Sequence, residues 1–426
     1  MLKVIKEKIG SGMRRDVIWT FSIQILIMLC SFAINKVLAS RLSIDDFGQY
    51  NVIKRSVQVL SFVMLAGVGI ALPRYIPIYR NSIPPKRIAP LLSASLLYII
   101  IISLVAMFVC ILFSTTMQNI IIGKCDNQML MIIAIAYAFI LALAQYIFAY
   151  YRGIGCFKWY NGTQLALQLL IIIPLVLLPM LTVDNVFVSW FIITILLVAY
   201  LFCREIRNYF GRGYSDFLKT SLKPHLITIF KYSSGRLVAD LFQFSLAAFP
   251  LIYISNVQGL QFTAYFSVGI TFVTMITPLF SFMGIILLPY ISQAIARNEM
   301  DEASRLIRRL SLLYVCAAII IIILLLGLTE FFTALLFTRE YLITTDITRI
   351  MILSILPQAV YMLYRNTIDA VSVIPYNAII LGVCIIVMVI SFQLSTDITQ
   401  YSLAFLTTST LQGLLSWLIW MLIRKK

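Results

Sequence analysis

Apolar stretches long enough to cross a bilayer recur from one end of this 426-residue chain to the other, separated by short polar breaks. A hydrocarbon core of ~30 Å takes roughly 20 residues of helix to cross. On that scale the pattern predicts twelve spans, at 17–40, 47–76, 89–113, 127–150, 163–181, 186–203, 227–254, 259–290, 309–330, 344–368, 376–394 and 401–422. A membrane-spanning strand would need only about 10 alternating residues. The run Tyr98 to Phe113, YIIIISLVAMFVCILF, is instead apolar on every face. The expected fold class is therefore an all-α polytopic membrane protein.

The spans repeat as well as recur. QYIFAYYRG from Gln145 matches QAVYMLYRN from Gln358, so that Tyr151 and Arg152 answer Tyr364 and Arg365. WYN at Trp159–Asn161 answers PYN at Pro375–Asn377, and ALPRYIPIY from Ala71 answers LLPYISQAI from Leu287, all at nearly one offset. A six-helix unit written twice re-enters the membrane from the same side. The two lobes are thus expected to be related by a pseudo-two-fold axis along the membrane normal, a plan that in transporters puts substrate at the interface of the halves. The expected organisation is a cytoplasmic N-terminus (1–16), an N-lobe of helices 1–6 (17–203), a cytoplasmic amphipathic linker (204–226), a C-lobe of helices 7–12 (227–422) and a cytoplasmic C-terminus (423–426).

Composition and charge sharpen this picture. Hydrophobic residues make up 61% and charged residues 12% of the chain, and the mean hydropathy is +0.98. Lys and Arg collect in cytoplasmic loops. With both termini inside, 25 of the 33 cations fall on that side, which fixes the expected orientation. A net charge of +16 spread over short segments fits topology and anionic headgroups rather than nucleic acid. The first apolar run is flanked by Arg14, Arg15 and Asp16 and is too long for a cleaved signal, so it is expected to be retained. Cys30, Cys110, Cys316 and Cys384 fall in spans, Cys156 and Cys203 inside and Cys125 outside, with no metal-ligand spacing. No metal or cofactor is expected.

The polar residues inside the spans are the candidate chemistry. In the second span Asn51, Lys54, Gln58 and Ser61 share one helix face, with Arg55 about 100° round from Lys54. Lys54 lies roughly 10 Å in from the outer end of that span. The first span carries Thr20, Gln24, Ser31 and Asn35 on a stripe beside Lys36, and the seventh carries Ser233, Arg236, Asp240 and Gln243. Facing lipid, charged groups would each cost about 2.5–3.5 kcal/mol. Lys36, Lys54, Arg55 and Arg236 are therefore expected to line a cationic cavity suited to a phosphate or pyrophosphate, with Gln24, Asn35, Gln58 and Gln243 as polar lining. Competing readings are snorkelling of Lys54 and Arg55 to the outer interface, helix-to-helix hydrogen bonding by the amides and hydroxyls, and a structural ion pair of Arg236 with Asp240. Arg152 and Arg365 read as topological anchors, His225 as a solvated linker residue, and Tyr50, Trp190 and Trp417 as an interfacial belt.

NKVLASRLSIDDFGQYNV (Asn35 to Val52) and GVGIALPRYI (Gly67 to Ile76) resemble the corresponding segments of bacterial polysaccharide-export flippases related to the O-antigen flippases. The resemblance extends through the twelve spans, the repeat and the basic linker. It implies translocation of undecaprenyl-pyrophosphate-linked oligosaccharide across the bacterial inner membrane by alternating access, with the cationic cavity on Lys36, Lys54, Arg55 and Arg236. It further implies polysaccharide polymerase machinery as a partner, and Asp240 on the seventh span is a candidate either for proton or sodium coupling or for the ion pair with Arg236. Alternatives are a multidrug/cation antiporter of the same superfold and a lipid II flippase. The first fits poorly because intramembrane bases outnumber acids, and the second would favour spans beyond twelve. A membrane polymerase or ligase would need acids or a histidine in a sizeable outer loop, which Ser114–Asp126 and Phe331–Ile343 do not supply.

Overall fold

A computed structural model describes residues 11–81, 88–123, 127–209, 222–296, 300–372 and 374–424. Among these residues the ordered elements are helices, with no strand. Backbone polar groups find no water in hydrocarbon, and a helix satisfies them within its own segment. In chain order the elements begin with α1 (Ser11–Arg41), α2 (Ile44–Leu65), α3 (Val68–Asn81), α4 (Ala89–Leu112), α5 (Ser114–Ile121) and α6 (Gln128–Gly153). Next come α7 (Phe157–Leu177), α8 (Val183–Tyr209), α9 (Lys223–Val257), α10 (Leu260–Ala296), α11 (Met300–Gly327) and α12 (Thr329–Leu336). A 3-10 turn (Arg339–Thr344) then leads to α13 (Thr345–Ile352), α14 (Ile355–Val371), α15 (Tyr376–Leu394) and α16 (Ile398–Ile423).

Among the described residues eleven helices are long and apolar enough to cross a membrane, and one bent pair brings the number to twelve. The protein is a multi-pass membrane protein. Its outward faces agree: Leu104, Phe108 and Ile111 on α4 are 60%, 64% and 70% exposed, surface that water would not tolerate and acyl chains do.

Within two of the expected continuous spans the helix is interrupted. The span expected at 47–76 is α2 followed by α3, interrupted where Ala66 and Gly67 take positive φ values of 51° and 75°. A Cβ on Gly67 would lie 2.8 Å from Cβ of Ser233 and 3.0 Å from its carbonyl oxygen, so the break falls where the chain presses against the backbone of α9. The span expected at 344–368 is the bent pair, angled by 41° between residues 339–352 and 355–369. Pro357 has no N–H to donate to the carbonyl of Leu353, and at the bend Ser354 Oγ donates to Met351 O at 2.6 Å.

Helix starts follow local chemistry. Ser43 accepts from the Asp46 N–H at 3.1 Å and donates to Asp46 Oδ2 at 2.8 Å, capping α2. Asp45 and Asp46 in its first turn suit the positive end of the helix. Asp397 likewise caps α16 by accepting from the Gln400 N–H. The amphipathic linker expected at 204–226 is occupied at its ends by α8 and α9, and its residues 210–221 lie outside the described residues.

Two compact units are formed: 1–38 with 60–114 and 128–234, and 39–59 with 115–127 and 235–426. They do not follow the sequential halves, because α1, α2 and α9 each contribute to both. In the first unit α6 packs on α3 and α8. Tyr146 Oη donates to Leu92 O at 2.9 Å, and Tyr137, Phe187 and Trp190 form an aromatic cluster. At the far end of α6, Tyr151 Oη donates to Glu205 Oε1 at 2.8 Å, Arg152 to Gly69 O at 2.7 Å, and the Arg204 guanidinium lies 3.2 Å over the Trp159 ring.

In the second unit α14 packs on α10 and α16, and Phe266 of α10, Phe392 of α15 and Tyr401 and Phe405 of α16 form an aromatic cluster. Phe47, fully buried, meets Phe337 and Tyr341. The belt residues divide accordingly. Tyr50 (0% exposed) and Trp190 (4%) are core residues, the latter donating to Ile171 O, and only Trp417 (42%) is exposed. His225 is also held, 2.8 Å from Tyr79 Oη.

Candidate functional site

The site is built on α2, whose start is fixed by the Ser43 cap. One turn after buried Phe47, Asn51 is 4% exposed and donates from Nδ2 to Phe47 O at 2.8 Å. The next turn presents Lys54 and Arg55, both partly buried. Arg55 donates from Nη1 to Gln58 Oε1 at 3.3 Å and from Nη2 to Thr274 Oγ1 of α10 at 3.2 Å. Lys54 Nζ stands 5.4 Å from the centre of the Tyr50 ring, one turn back, within cation–π range.

Neither cation has a carboxylate partner among the described residues, where Arg204 pairs with Glu205 and Arg349 with Glu330 and Asp346. Two adjacent positive groups in a membrane span, met among the described residues by an amide, a hydroxyl and a ring face, are costly as they stand. An anion with two or three oxygens would relieve both, the guanidinium binding it in a fork and the ammonium as a point charge.

Beyond Arg55 a line of uncharged polar side chains crosses the second unit. Thr274 and Thr277 lie one turn apart on α10. Thr277 Oγ1 donates to Gln358 Oε1 of α14 at 3.1 Å, and Gln358 Nε2 donates to Ser409 Oγ of α16 at 3.4 Å. One turn on, Gln412 Nε2 donates to Gln243 Oε1 of α9 at 3.3 Å.

Of the residues expected from sequence, Lys54, Arg55, Gln58 and Gln243 therefore belong to the second unit, with Arg55 and Gln58 directly bonded. Gln24, Asn35 and Lys36 belong to the first. There Gln24 donates to Gln164 Oε1 at 3.0 Å, and Asn35, 2% exposed, donates to Ser31 O at 2.8 Å. The side chains of Arg236 and Asp240 lie outside the described residues. Sequence reasoning missed Thr274, Thr277, Gln358, Ser409 and Gln412. The signal was present in Ser267, Thr271 and Thr274, spaced i, i+4, i+7 on α10, which follows the same periodicity as the stripes of the first, second and seventh spans.

Neither a protein-family model nor a curated protein matches the sequence. Solved structures do match in shape. The lipid II flippase MurJ in an inward closed conformation superposes with a TM-score of 0.69 at 13% identity, covering 95% of this chain and 87% of that one. The MATE transporter VcmN of Vibrio cholerae, as its D35N mutant, gives 0.65 at 12% identity with 98% of both chains covered. A MOP superfamily transporter from Pyrococcus furiosus, reported with reversed polarity of its binding pocket, gives 0.63 at 11% identity over 96% of this chain and 95% of that one. The chain has the fold of these transporters. At such identities the likeness extends to the path of the backbone, while the chemistry of the site rests on this chain's own side chains.

Proposed function

We propose that the protein is a transporter, not an enzyme, that flips undecaprenyl-pyrophosphate-linked oligosaccharide, an O-antigen or related surface-polysaccharide repeat unit, across the bacterial inner membrane. The observation that carries this reading is the adjacent pair Lys54 and Arg55, set in a span without a carboxylate partner among the described residues. A pyrophosphate supplies the missing charge and the oxygens that a guanidinium fork accepts. The fold agrees with the class, since one protein that shares it is a lipid II flippase.

In the mechanism, Arg55 and Lys54 hold the headgroup while the polyprenyl tail stays in lipid. The site is exposed to one side of the membrane and then to the other, and no bond is made or broken. Lys36 and Arg236 supply further positive charge, Gln24, Asn35, Gln58 and Gln243 supply uncharged polar groups, and Asp240 couples the movement to a proton or sodium gradient. The excess of cations on one side of the spans supports termini in the cytoplasm.

The fold likeness favours lipid II flipping as a second reading, because that lipid presents the same pyrophosphate. A multidrug antiporter is disfavoured by the sign of the site's charge. The deciding experiment is the content of lipid-linked oligosaccharide, resolved by leaflet, in cells lacking the gene, together with their surface polysaccharide. Accumulation of repeat units on the cytoplasmic leaflet with loss of surface polymer is expected. Accumulation of lipid II instead would establish the second reading. Unchanged lipid pools with altered drug sensitivity would replace both with the antiporter.

A further inference from the structure

Arg55 gives one of its two side-chain hydrogen bonds to Thr274, the first member of the uncharged polar line in the second unit. That line continues through Thr277, Gln358, Ser409, Gln412 and Gln243, side chains of four different helices. Ser409 and Gln412 are buried at 4% exposure each, while Thr274, Thr277, Gln358 and Gln243 are partly open.

Three features of the line bear on what it could bind. Every member is an amide or a hydroxyl, a group that both donates and accepts, as a sugar hydroxyl or acetamido group does. A ligand of that kind can exchange with the existing side-chain bonds without leaving a polar atom unpaired. No acid or base belongs to the line, so it offers nothing to balance a charged sugar. Its starting point is one hydrogen bond from the guanidinium, and in a pyrophosphate-linked saccharide the first sugar is joined directly to the phosphate.

We propose that Thr274, Thr277, Gln358, Ser409, Gln412 and Gln243 form the saccharide-recognition surface of the protein, selecting lipid-linked saccharides whose sugars nearest the pyrophosphate are uncharged. This rests on the flippase reading above. Thr274 meets the first sugar, while Gln358 and Gln243 meet those that follow. Ser409 and Gln412, being buried, position Gln358 and Gln243 rather than touch the ligand.

The test measures binding to the detergent-purified full chain of two probes: undecaprenyl pyrophosphate, and the same lipid carrying an uncharged N-acetylhexosamine disaccharide. Arg55→Gln is expected to weaken both. Gln358→Met, close in volume, is expected to weaken the glycosylated probe by about tenfold, the scale of one lost hydrogen bond, and to leave the sugar-free probe unchanged, while Thr274→Val, which also removes a partner of Arg55, is expected to weaken the glycosylated probe more than the sugar-free one. Thermal melting of each variant separates lost recognition from lost folding, and Thr274→Val stands as the second test should Gln358→Met unfold.

Equal weakening of both probes, or of neither, by a folded Gln358→Met or Thr274→Val would make the line helix-to-helix bonding and overturn the proposal. A wild-type protein that binds neither probe would overturn the flippase reading, and this inference with it. Wild type binding both probes, with the variants indifferent to the sugar, would overturn the inference alone.

Discussion

Gly48 of α2 meets the backbone of α10 so closely that a side-chain carbon there would overlap the carbonyl oxygen of Leu260 and sit 3.2 Å from the amide nitrogen of Ala264. Backbone cannot retreat as the end of a flexible side chain can. The contact lies one residue after Phe47, whose ring is fully buried against Phe337 and Tyr341. It is what lets the first half of α2, with Lys54 and Arg55 about two turns further on, pack closely on α10. Gly48→Val is expected to cost about 2 kcal/mol or more by overpacking and to abolish transport. Thermal melting of the purified protein and a flipping assay measure the two effects, and a variant that melts and flips like wild type would refute the close packing.

Arg55 and Lys54 differ in what they offer an anion. Arg55→Lys keeps the charge and loses the fork, and is expected to reduce flipping by about tenfold. Arg55→Ala is expected to abolish flipping at normal membrane abundance. Full activity in Arg55→Ala would remove the cationic site from the mechanism.

Gly67 is held at φ +75° beside Ser233. Ala at this position is expected to destabilise the protein by about 1–3 kcal/mol, from the left-handed conformation and from contact with the α9 backbone. The shift is read in a denaturation midpoint, and an unchanged midpoint would mean that the break between α2 and α3 relaxes freely.

The Tyr151–Glu205 bond makes an ordered prediction. Tyr151 is 1% exposed and the Glu205 side chain 18%, so removing the carboxylate strands a buried hydroxyl, while removing the hydroxyl leaves a carboxylate that water and Tyr150 reach. Glu205→Ala is expected to cost about 1–3 kcal/mol and Tyr151→Phe less. Melting temperatures in the opposite order would contradict this account.

Asp240 tests the coupling. Asp240→Asn is expected to abolish the gradient dependence of flipping. Undiminished, gradient-dependent transport in that variant would exclude Asp240 as the coupling group.

The local pattern of the chain determined a good deal. Length and hydropathy of the apolar runs gave the helical, membrane-spanning class because hydrocarbon forces each segment to satisfy its own backbone. The i+3 and i+4 spacing brought Lys54 and Gln58 to one face of α2, since helical geometry is fixed before any packing occurs. The breaks were less legible. Gly67 and Pro357 stand in the sequence, but a helix can run on through a proline, as it does at Pro174 and Pro250, and the close approach of Ser233 to Gly67 comes from a segment more than 160 residues away.

The tertiary structure alone decided the partners. That Arg55 bonds Thr274, that Gln358 links Thr277 to Ser409, and that Tyr50 and Trp190 are core rather than belt all depend on helices distant in sequence. Periodicity tells which residues share a face. It is long-range packing that sets what each face meets, and so which polar groups are left to serve a ligand.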